Sequence, residues 1–292
     1  MPGDIALYVH VPFCRHKCPY CSFVSYDYRE ADIPLYLNTL KKELTRRAGG
    51  ECIRSLYFGG GTPSLLSVKH VGELMSAIRS LFTVDEAAEI TIEANPGTVN
   101  QAYLTAIREL GINRLSLGVQ SLNGGELALL GRIHTATEAG NAVQHARDAG
   151  FDNLNIDLIY GLPGQTLSDW QRTLEETITL SPEHISLYAL TLEAETPMRG
   201  AIKEGFLPEP DPDVSAEHYE LAEDLLAIKG YCHYEISNWA IAGRECRHNL
   251  TYWRNLPYLG VGVAAHSCLD GHRIANTKTL QTHEHGGDRG KE

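Results

Sequence analysis

Three cysteines, Cys14, Cys18 and Cys21, lie close together near the start of the chain. Thiolates are soft ligands that suit iron–sulfur clusters or zinc. A ferredoxin-type cluster uses four cysteines at other spacings, and a structural zinc site also needs four ligands. Three thiolates on a compact loop can bind a [4Fe–4S] cube at three corners and leave one iron open. The spacing therefore predicts a [4Fe–4S] cluster with one position free for a small molecule.

Zinc is the alternative metal for the same loop. It needs a fourth ligand from elsewhere, such as His10 or His16. Pro19 stiffens the loop, and the aromatic side chains of Phe13 and Tyr20 can shield a cluster from water. The composition of the loop favours the cluster, and zinc stays open as the second interpretation.

The elements that must position these cysteines are read from the hydrophobic pattern. Six β-rich runs are predicted as strands over residues 5–11, 53–58, 89–94, 114–120, 154–160 and 185–192. Segments with apolar residues at helical spacing lie between them, over 35–47, 68–81, 102–110, 137–149 and 169–180. Successive βα units require a parallel sheet with right-handed crossovers, which either opens out or closes into a barrel.

Polar residues recur where the predicted strands end. They are the cysteine loop, residues 59–62, Glu93, Gln120 and Asp157. Barrel enzymes place their chemistry at the C-terminal ends of the strands. We therefore predict an α/β fold, a partial (βα)6 TIM-like barrel with a short C-terminal α+β extension.

The pattern changes after residue 192. Four prolines between residues 197 and 212 mark a loop, followed by a predicted helix near 215–229 and strand-like runs at 232–237 and 259–264. The last residues are polar and without periodicity. We predict a barrel core over residues 1–195, a C-terminal extension over 196–280, and a disordered or truncated tail over 281–292.

Composition excludes several classes of protein. The 292 residues carry a formal net charge of −12, which argues against a nucleic-acid partner, because such proteins typically neutralise ~6–10 phosphates with Lys and Arg. No apolar run approaches the ~20 residues of a transmembrane span, and no signal or transit peptide precedes the first strand. A cytoplasmic location is therefore expected. In that setting the seven cysteines indicate metal ligands and spare thiols rather than disulfides.

The cysteine spacing resembles the hallmark of radical S-adenosylmethionine (SAM) proteins. Flanking segments resemble the branch that holds the coproporphyrinogen dehydrogenases and the HemW-type haem chaperones. These segments are residues 8–13, 59–64, 93–97, 118–121 and 157–166. The resemblance runs from about residue 5 to about residue 278.

The resemblance implies cofactor roles for residues of these motifs. In the family, the open iron binds the amino and carboxylate groups of SAM, and an electron from the cluster cleaves SAM to a 5′-deoxyadenosyl radical. Gly60, Gly61 and Thr62 would approach the methionine amino group. The SAM site would be completed by Glu93, Gln120, Arg132 and Asp157. Tyr8 would lie beside the cluster, and Tyr20 would contact a second ligand molecule. No residue is assigned a catalytic role.

Two features separate the branches. The dehydrogenases carry a fourth cysteine two positions after the third, where this chain has Phe23, and an N-terminal extension before the first strand. Residues 248–253, His-Asn-Leu-Thr-Tyr-Trp, resemble the HNxxYW motif of the haem chaperones. Neutral imidazole is a common axial ligand of haem iron, so His248 is the candidate, with Tyr252 and Trp253 offering flat faces for a porphyrin.

The resemblance thus implies a haem chaperone that binds a [4Fe–4S] cluster, SAM and haem and delivers haem to an acceptor protein. The alternative is an oxygen-independent coproporphyrinogen III dehydrogenase acting through the 5′-deoxyadenosyl radical. A third hypothesis, that the protein modifies RNA, conflicts with its negative net charge. Whether SAM is cleaved, and whether the chain forms a homodimer, are left open by the sequence.

Overall fold

The first long strand is apolar along nearly its whole length, because both of its faces are covered. In this computed structural model, which describes residues 3–280 and 290–291, it spans Asp4–Val11 (β1). Such continuous burial is typical of a strand in a parallel sheet. The remaining strands are β2 (Phe13–Cys14), β3 (Tyr26–Asp27), β4 (Cys52–Gly60), β5 (Thr83–Ala94), β6 (Arg114–Gln120), β7 (Leu154–Tyr160), β8 (His184–Ala189), β9 (Tyr231–Glu235), β10 (Asn238–Ile241), β11 (Tyr258–Val261), β12 (His266–Leu269), β13 (His272–Ala275) and β14 (Gly290–Lys291).

Helices fill the crossovers between the six parallel strands, and three more α-helices follow β8 in the described part of the chain. They are α1 (Ile33–Arg47), α2 (Val68–Leu81), α3 (Gln101–Glu109), α4 (Gly124–Leu129), α5 (Ala136–Asp148), α6 (Leu167–Thr179), α7 (Pro197–Lys203), α8 (Pro212–Ile228) and α9 (Arg247–Trp253). Helix α1 buries Leu37, Leu40 and Leu44, three and four residues apart, so that one stripe of the helix faces the sheet. Among the described helices, none is both long and apolar enough to span a membrane.

One sheet organises the fold. Its strand order is β14-β13-β12-β11-β1-β4-β5-β6-β7-β8-β10-β9, and β2 pairs separately with β3. The six strands β1 and β4 to β8 pair in parallel, which confirms the predicted α/β partial barrel. The two edge strands of this sheet, β9 and β14, do not pair with each other within the described residues, so the barrel stays open along one side.

Strand β4 shows how the sheet separates the core from the lumen of the barrel. Leu56 and Phe58 belong to the hydrophobic core. Because side chains alternate along a strand, Ser55, Tyr57 and Gly59 lie on the opposite face. The polar side chains of the lumen thus come from every second residue of the parallel strands.

The C-terminal extension contributes to both edges of the barrel. β11 pairs in parallel with β1, and β10 pairs antiparallel with β8. The sheet is therefore continuous across the predicted boundary at residues 195 and 196, and that division into domains stays a prediction. The predicted disordered or truncated tail, 281–292, lies outside the described residues except for β14, which pairs with β13.

Several short elements differ from the sequence prediction. The prediction of a loop from residue 197 is wrong at its start, because α7 begins at Pro197 and Thr196 caps it. Proline is tolerated in the first turn of a helix, where no amide partner is required. Strand β8 ends at Ala189 rather than at residue 192, and the sequence did not predict α4, α9 or β10.

Helix α9 depends on a distant residue. Its N-cap residue, Cys246, makes no capping hydrogen bond through its side chain. Instead the carboxylate of Glu89 accepts hydrogen bonds from the backbone amides of Arg247 and His248, each at 3.1 Å. Glu89 lies on β5, so the cap that replaces the missing local signal exists only after the sheet has formed.

Candidate cofactor site

The loop after β1 carries the three cysteines of the predicted cluster. The pairing of β2 with β3 holds the backbone of Cys14, and the amide of Cys21 donates to the carbonyl of Cys18 at 3.1 Å, which closes a turn between them. All three thiols are free and partly exposed. They are therefore present on one loop as separate ligands.

Two of the sulfur atoms have donors directed at them. The Thr62 hydroxyl donates to the Cys14 Sγ at 3.7 Å, and the Arg132 Nη1 donates to the Cys18 Sγ at 3.5 Å. Hydrogen bonds to the sulfur of a metal-binding cysteine orient the ligand and tune the metal site. The cysteine loop and the ends of β4 and β6 thus meet at one place.

Glycines after β4 let its backbone approach the cysteine loop closely. A Cβ on Gly61 would lie 2.8 Å from the carbonyl oxygen of Phe13 and 3.0 Å from the Cys14 Sγ. Gly60 has a φ of +119°, and its Cβ would lie 2.7 Å from the His10 ring. Side chains cannot be accommodated at such distances, and this φ is one that glycine adopts freely.

Glu93 connects the end of β4 with the lumen. Its carboxylate accepts hydrogen bonds from the Tyr57 hydroxyl at 2.8 Å and from the Gly60 amide at 3.1 Å. Burial, with a further contribution from the nearby Asp157, raises the pKa of Glu93 to about 7. Tyr8 lies beside them, hydrogen-bonded to His10 at 3.1 Å, and burial raises its pKa well above the ordinary value.

Arg132 holds the other side of the site. Its Nη2 donates to the carbonyl of Gly118 at 2.7 Å and to the side chain of Asn95. The Nε of Arg132 is buried without a hydrogen-bond partner among the described residues. This guanidinium therefore retains a donor for a ligand in addition to its bond to the Cys18 sulfur.

The ends of β6 and β7 complete the rim. Gln120 ends β6 with a φ of +71°, next to a register shift in the pairing with β7, a local irregularity of a kind that often redirects a side chain near a site. Asp157 accepts hydrogen bonds from Ser116 at 3.0 Å and from Asn155 at 2.8 Å. Burial raises the pKa of Asp157 above its ordinary value.

Tyr20 lies between two of the cysteines and packs against the small apolar cluster that includes Leu130 and Met198. The amide of Met198 donates to the carbonyl of Pro19 at 2.9 Å, so that α7 supports the cysteine loop from the side. Burial raises the pKa of the Tyr20 hydroxyl. The predicted contact of Tyr20 with a second ligand molecule stays a prediction.

The residues present fit a [4Fe–4S] cluster better than a single metal ion. Among the described residues, no three His, Cys, Asp or Glu side chains converge closely enough to hold one ion. A cube binds each thiolate at a different iron, so its ligands need not meet at one point. His10, a candidate fourth zinc ligand, is instead hydrogen-bonded to Tyr8 and to the carbonyl of Val24. A cavity beside the loop is lined by Arg15, His16, Cys18, Thr62, Asn95, Thr98, Gly131, Arg132 and Ile133.

His248 lies away from the cysteine loop, at the base of the lumen. Its Nδ1 is hydrogen-bonded to the Ser55 hydroxyl at 3.0 Å and its Nε2 to the Tyr252 hydroxyl at 2.9 Å. Burial, together with the charge of Arg114, lowers the pKa of His248 to about 3. The imidazole is therefore neutral at neutral pH, as an iron ligand must be, but both of its nitrogens are engaged.

The structure adds residues that the sequence did not single out. Tyr57 stands between Glu93 and His248, and Asn95 joins Arg132 to Thr62, to which it donates at 3.1 Å. The alternation along β4 could have indicated Tyr57 as a lumen residue. Asn95 lies in the motif of residues 93–97, but the sequence does not show which residues it contacts.

Similarity to known proteins identifies the family of this chain. The family model described as the radical SAM superfamily matches residues 8–177. The protein named heme chaperone HemW of Lactococcus lactis is 39% identical over 269 residues, which cover 92% of this chain and 71% of that protein. The chain belongs to the HemW family within the radical SAM superfamily. Membership implies a [4Fe–4S] cluster and SAM as cofactors.

Other comparisons agree with this placement in the HemW family. The heme chaperone HemW of Haemophilus influenzae is 41% identical over 274 residues, covering 91% of this chain and 70% of that protein. Among solved structures, coproporphyrinogen III oxidase (HemN) of Escherichia coli, described as a radical SAM enzyme, superposes with a TM-score of 0.86 at 29% identity. That match covers 99% of this chain and 71% of HemN.

Proposed function

We propose that this protein is a haem chaperone that binds a [4Fe–4S] cluster, SAM and haem and passes haem to an acceptor protein. The observation that carries the proposal is the position of the HNxxYW helix, α9. It places a neutral histidine at the base of the lumen, in a chain that is 39% identical to a protein named heme chaperone HemW.

Cys14, Cys18 and Cys21 would hold the cluster, which supplies one-electron chemistry when it is bound. Gly60, Gly61 and Thr62 would contact the methionine end of SAM through the backbone. The carboxylates of Glu93 and Asp157 would accept hydrogen bonds from ligand hydroxyl or amino groups, while Gln120 and Arg132 close the rim. Tyr8 and Tyr20 would flank the cluster.

The proposed haem contact is at α9. Tyr252 is 37% exposed and Trp253 is 51% exposed, so aromatic faces are available to a porphyrin. The His248 side chain is buried, and its Nε2 is hydrogen-bonded to the Tyr252 hydroxyl. Binding of haem iron by His248 would therefore require this hydrogen bond to break.

Anaerobic reconstitution of the cluster, followed by separate titrations with haem and SAM, tests the proposal. His248→Ala should weaken haem binding and shift the Soret band, while the iron and sulfide of the cluster are retained. His272→Ala, on the exposed surface of β13, is the matched control and should bind haem like the unmodified protein. Normal haem uptake and an unchanged Soret band in His248→Ala would contradict the assignment of His248.

A dehydrogenase function is the second candidate, favoured by the superposition on HemN. The position of the fourth cysteine of that branch is occupied by Phe23, whose side chain is 66% exposed. The reconstituted protein, supplied with SAM, reductant and coproporphyrinogen III, should form no porphyrinogen-dependent 5′-deoxyadenosine. Stoichiometric formation of that product would favour the dehydrogenase over the chaperone.

A further inference from the structure

A cavity of about 310 Å³ lies at the base of the barrel, beside α9. This volume is within the range of small-molecule sites, roughly 300–1,000 Å³. Its walls come from the starts of β4 and β5 and from α9. The lining residues are Arg54, Ser55, Asp85, Ala87, Arg247, Leu250, Thr251, Arg254 and Leu256.

Helix α9 divides its side chains between the lumen and this cavity. Arg247, Leu250, Thr251 and Arg254 follow the three- and four-residue spacing of one helix face and line the cavity. His248, on another face of the same helix, contacts Ser55 and Tyr57 of β4. The cavity therefore lies next to the histidine site and meets it at Ser55.

The charges of the cavity are unbalanced. Three guanidinium groups line it together with the single carboxylate of Asp85. Arg54 is paired with Asp4 at 2.8 Å and with Asp85, and the Arg247 Nη1 donates to the carbonyl of Ala87 at 2.8 Å. The Arg254 side chain has no hydrogen bond or ion pair among the residues that the structure describes. This guanidinium is exposed and free to bind an anion.

Ser55 connects the cavity to the haem motif. Its side chain is buried, it lines the cavity, and its hydroxyl is hydrogen-bonded to the Nδ1 of His248 at 3.0 Å. The apolar side chains of Leu250 and Leu256 form another part of the wall. The cavity thus combines cationic donors with an apolar surface within one residue of the proposed iron ligand.

We propose that this cavity binds the propionate carboxylates of haem, with Arg254 and Arg247 as the groups that hold them. This inference rests on the proposed haem function and adds the residues that recognise the acidic edge of the porphyrin. Guanidinium is planar and donates two parallel hydrogen bonds to a carboxylate. Leu250 and Leu256 would contact the apolar part of the porphyrin.

Titration of the reconstituted protein with haem and with haem dimethyl ester, whose propionates are uncharged, tests the inference. The unmodified protein should bind the ester about tenfold more weakly than haem, a difference of ~1.4 kcal/mol. Arg254→Gln should weaken haem binding by about the same factor but leave the binding of the ester unchanged. The Soret band of the haem complex should keep its wavelength, because the axial ligand is unaffected.

Arg172→Gln is the matched control, since Arg172 lies on α6 with a side chain that is 63% exposed, and it should bind haem normally. Equal affinity of the unmodified protein for haem and its ester, or normal haem binding by Arg254→Gln, overturns the inference and leaves the chaperone function standing. Failure of the unmodified protein to bind either compound overturns the chaperone function itself.

Discussion

The rings of Tyr57 and His248 lie 5.0 Å apart, while the Tyr57 hydroxyl donates to Glu93 at 2.8 Å. One side chain of β4 therefore contacts both the proposed SAM cradle and the histidine of the haem motif. The two sites share a single lumen, with the cysteine loop at one end and α9 at the other.

Replacing Tyr57 by phenylalanine should destabilise the protein by about 1–2 kcal/mol, because Glu93 loses a buried hydrogen bond while the packing of the ring is kept. Urea denaturation of the protein without its cofactors measures the change. Tyr103→Phe is the matched control: no partner of its buried hydroxyl is found in the described part of the chain, so its stability should be unchanged or higher. Equal effects of the two substitutions would contradict the role of the Tyr57 hydroxyl.

Glu93→Gln should change how stability depends on pH. The pKa of Glu93 is raised from 4.5 to about 7, with burial as the main cause, so the folded state holds the proton more tightly than the unfolded chain. The contribution of this group to the unfolding free energy is fully present below pH 4.5 and is lost as the pH rises through 7, by ~3 kcal/mol in total.

The substitution should remove that loss. The unfolding free energy of Glu93→Gln, relative to that of the unmodified protein, should therefore increase from pH 5 to pH 8. Urea denaturation at the two values measures it. Glu109→Gln, on the exposed side of α3, serves as control and should follow the unmodified protein. A constant difference between Glu93→Gln and the unmodified protein would show that Glu93 titrates normally.

Cys18→Ala should lower iron and sulfide per chain after anaerobic reconstitution, because two thiolates remain where three are needed. The absorbance of the cluster and metal analysis measure the loss. Cys232→Ala, an exposed cysteine on β9, should retain the full cluster. Equal iron in both variants, or zinc in place of iron in the unmodified protein, would reject the assignment of the cysteine loop.

Gly61→Ala should also reduce cluster content, since its Cβ would lie 2.8 Å from the Phe13 carbonyl oxygen and would push the cysteine loop outward. Gly140→Ala is the matched substitution within α5, where nothing lies within 4 Å of the new Cβ. It should keep the cluster and add about 0.5–1 kcal/mol of stability, because alanine favours the helix. Full cluster content in Gly61→Ala would show that the loop tolerates the displacement.

Much of this protein is predictable from sequence because the signals are local. The spacing of Cys14, Cys18 and Cys21 lies within one loop, and the alternation of strand and helix patterns predicts the parallel sheet. The ends of elements are predicted less accurately, as at β8, because a strand ends where its pairing with neighbouring strands ends. Helix α9 was missed because its cap is Glu89, which belongs to a strand far away in the sequence.

The tertiary structure alone decided how the distant residues meet. The register of the parallel strands brings Glu93 to the Gly60 amide and Arg132 to Asn95, and no sequence spacing encodes these pairs. The motif containing His248 was visible in the sequence, but its burial against Ser55 and the arginine-lined cavity next to it were not. Hydrophobic pattern determines which residues lie inside, whereas strand register and helix docking determine which polar groups face one another.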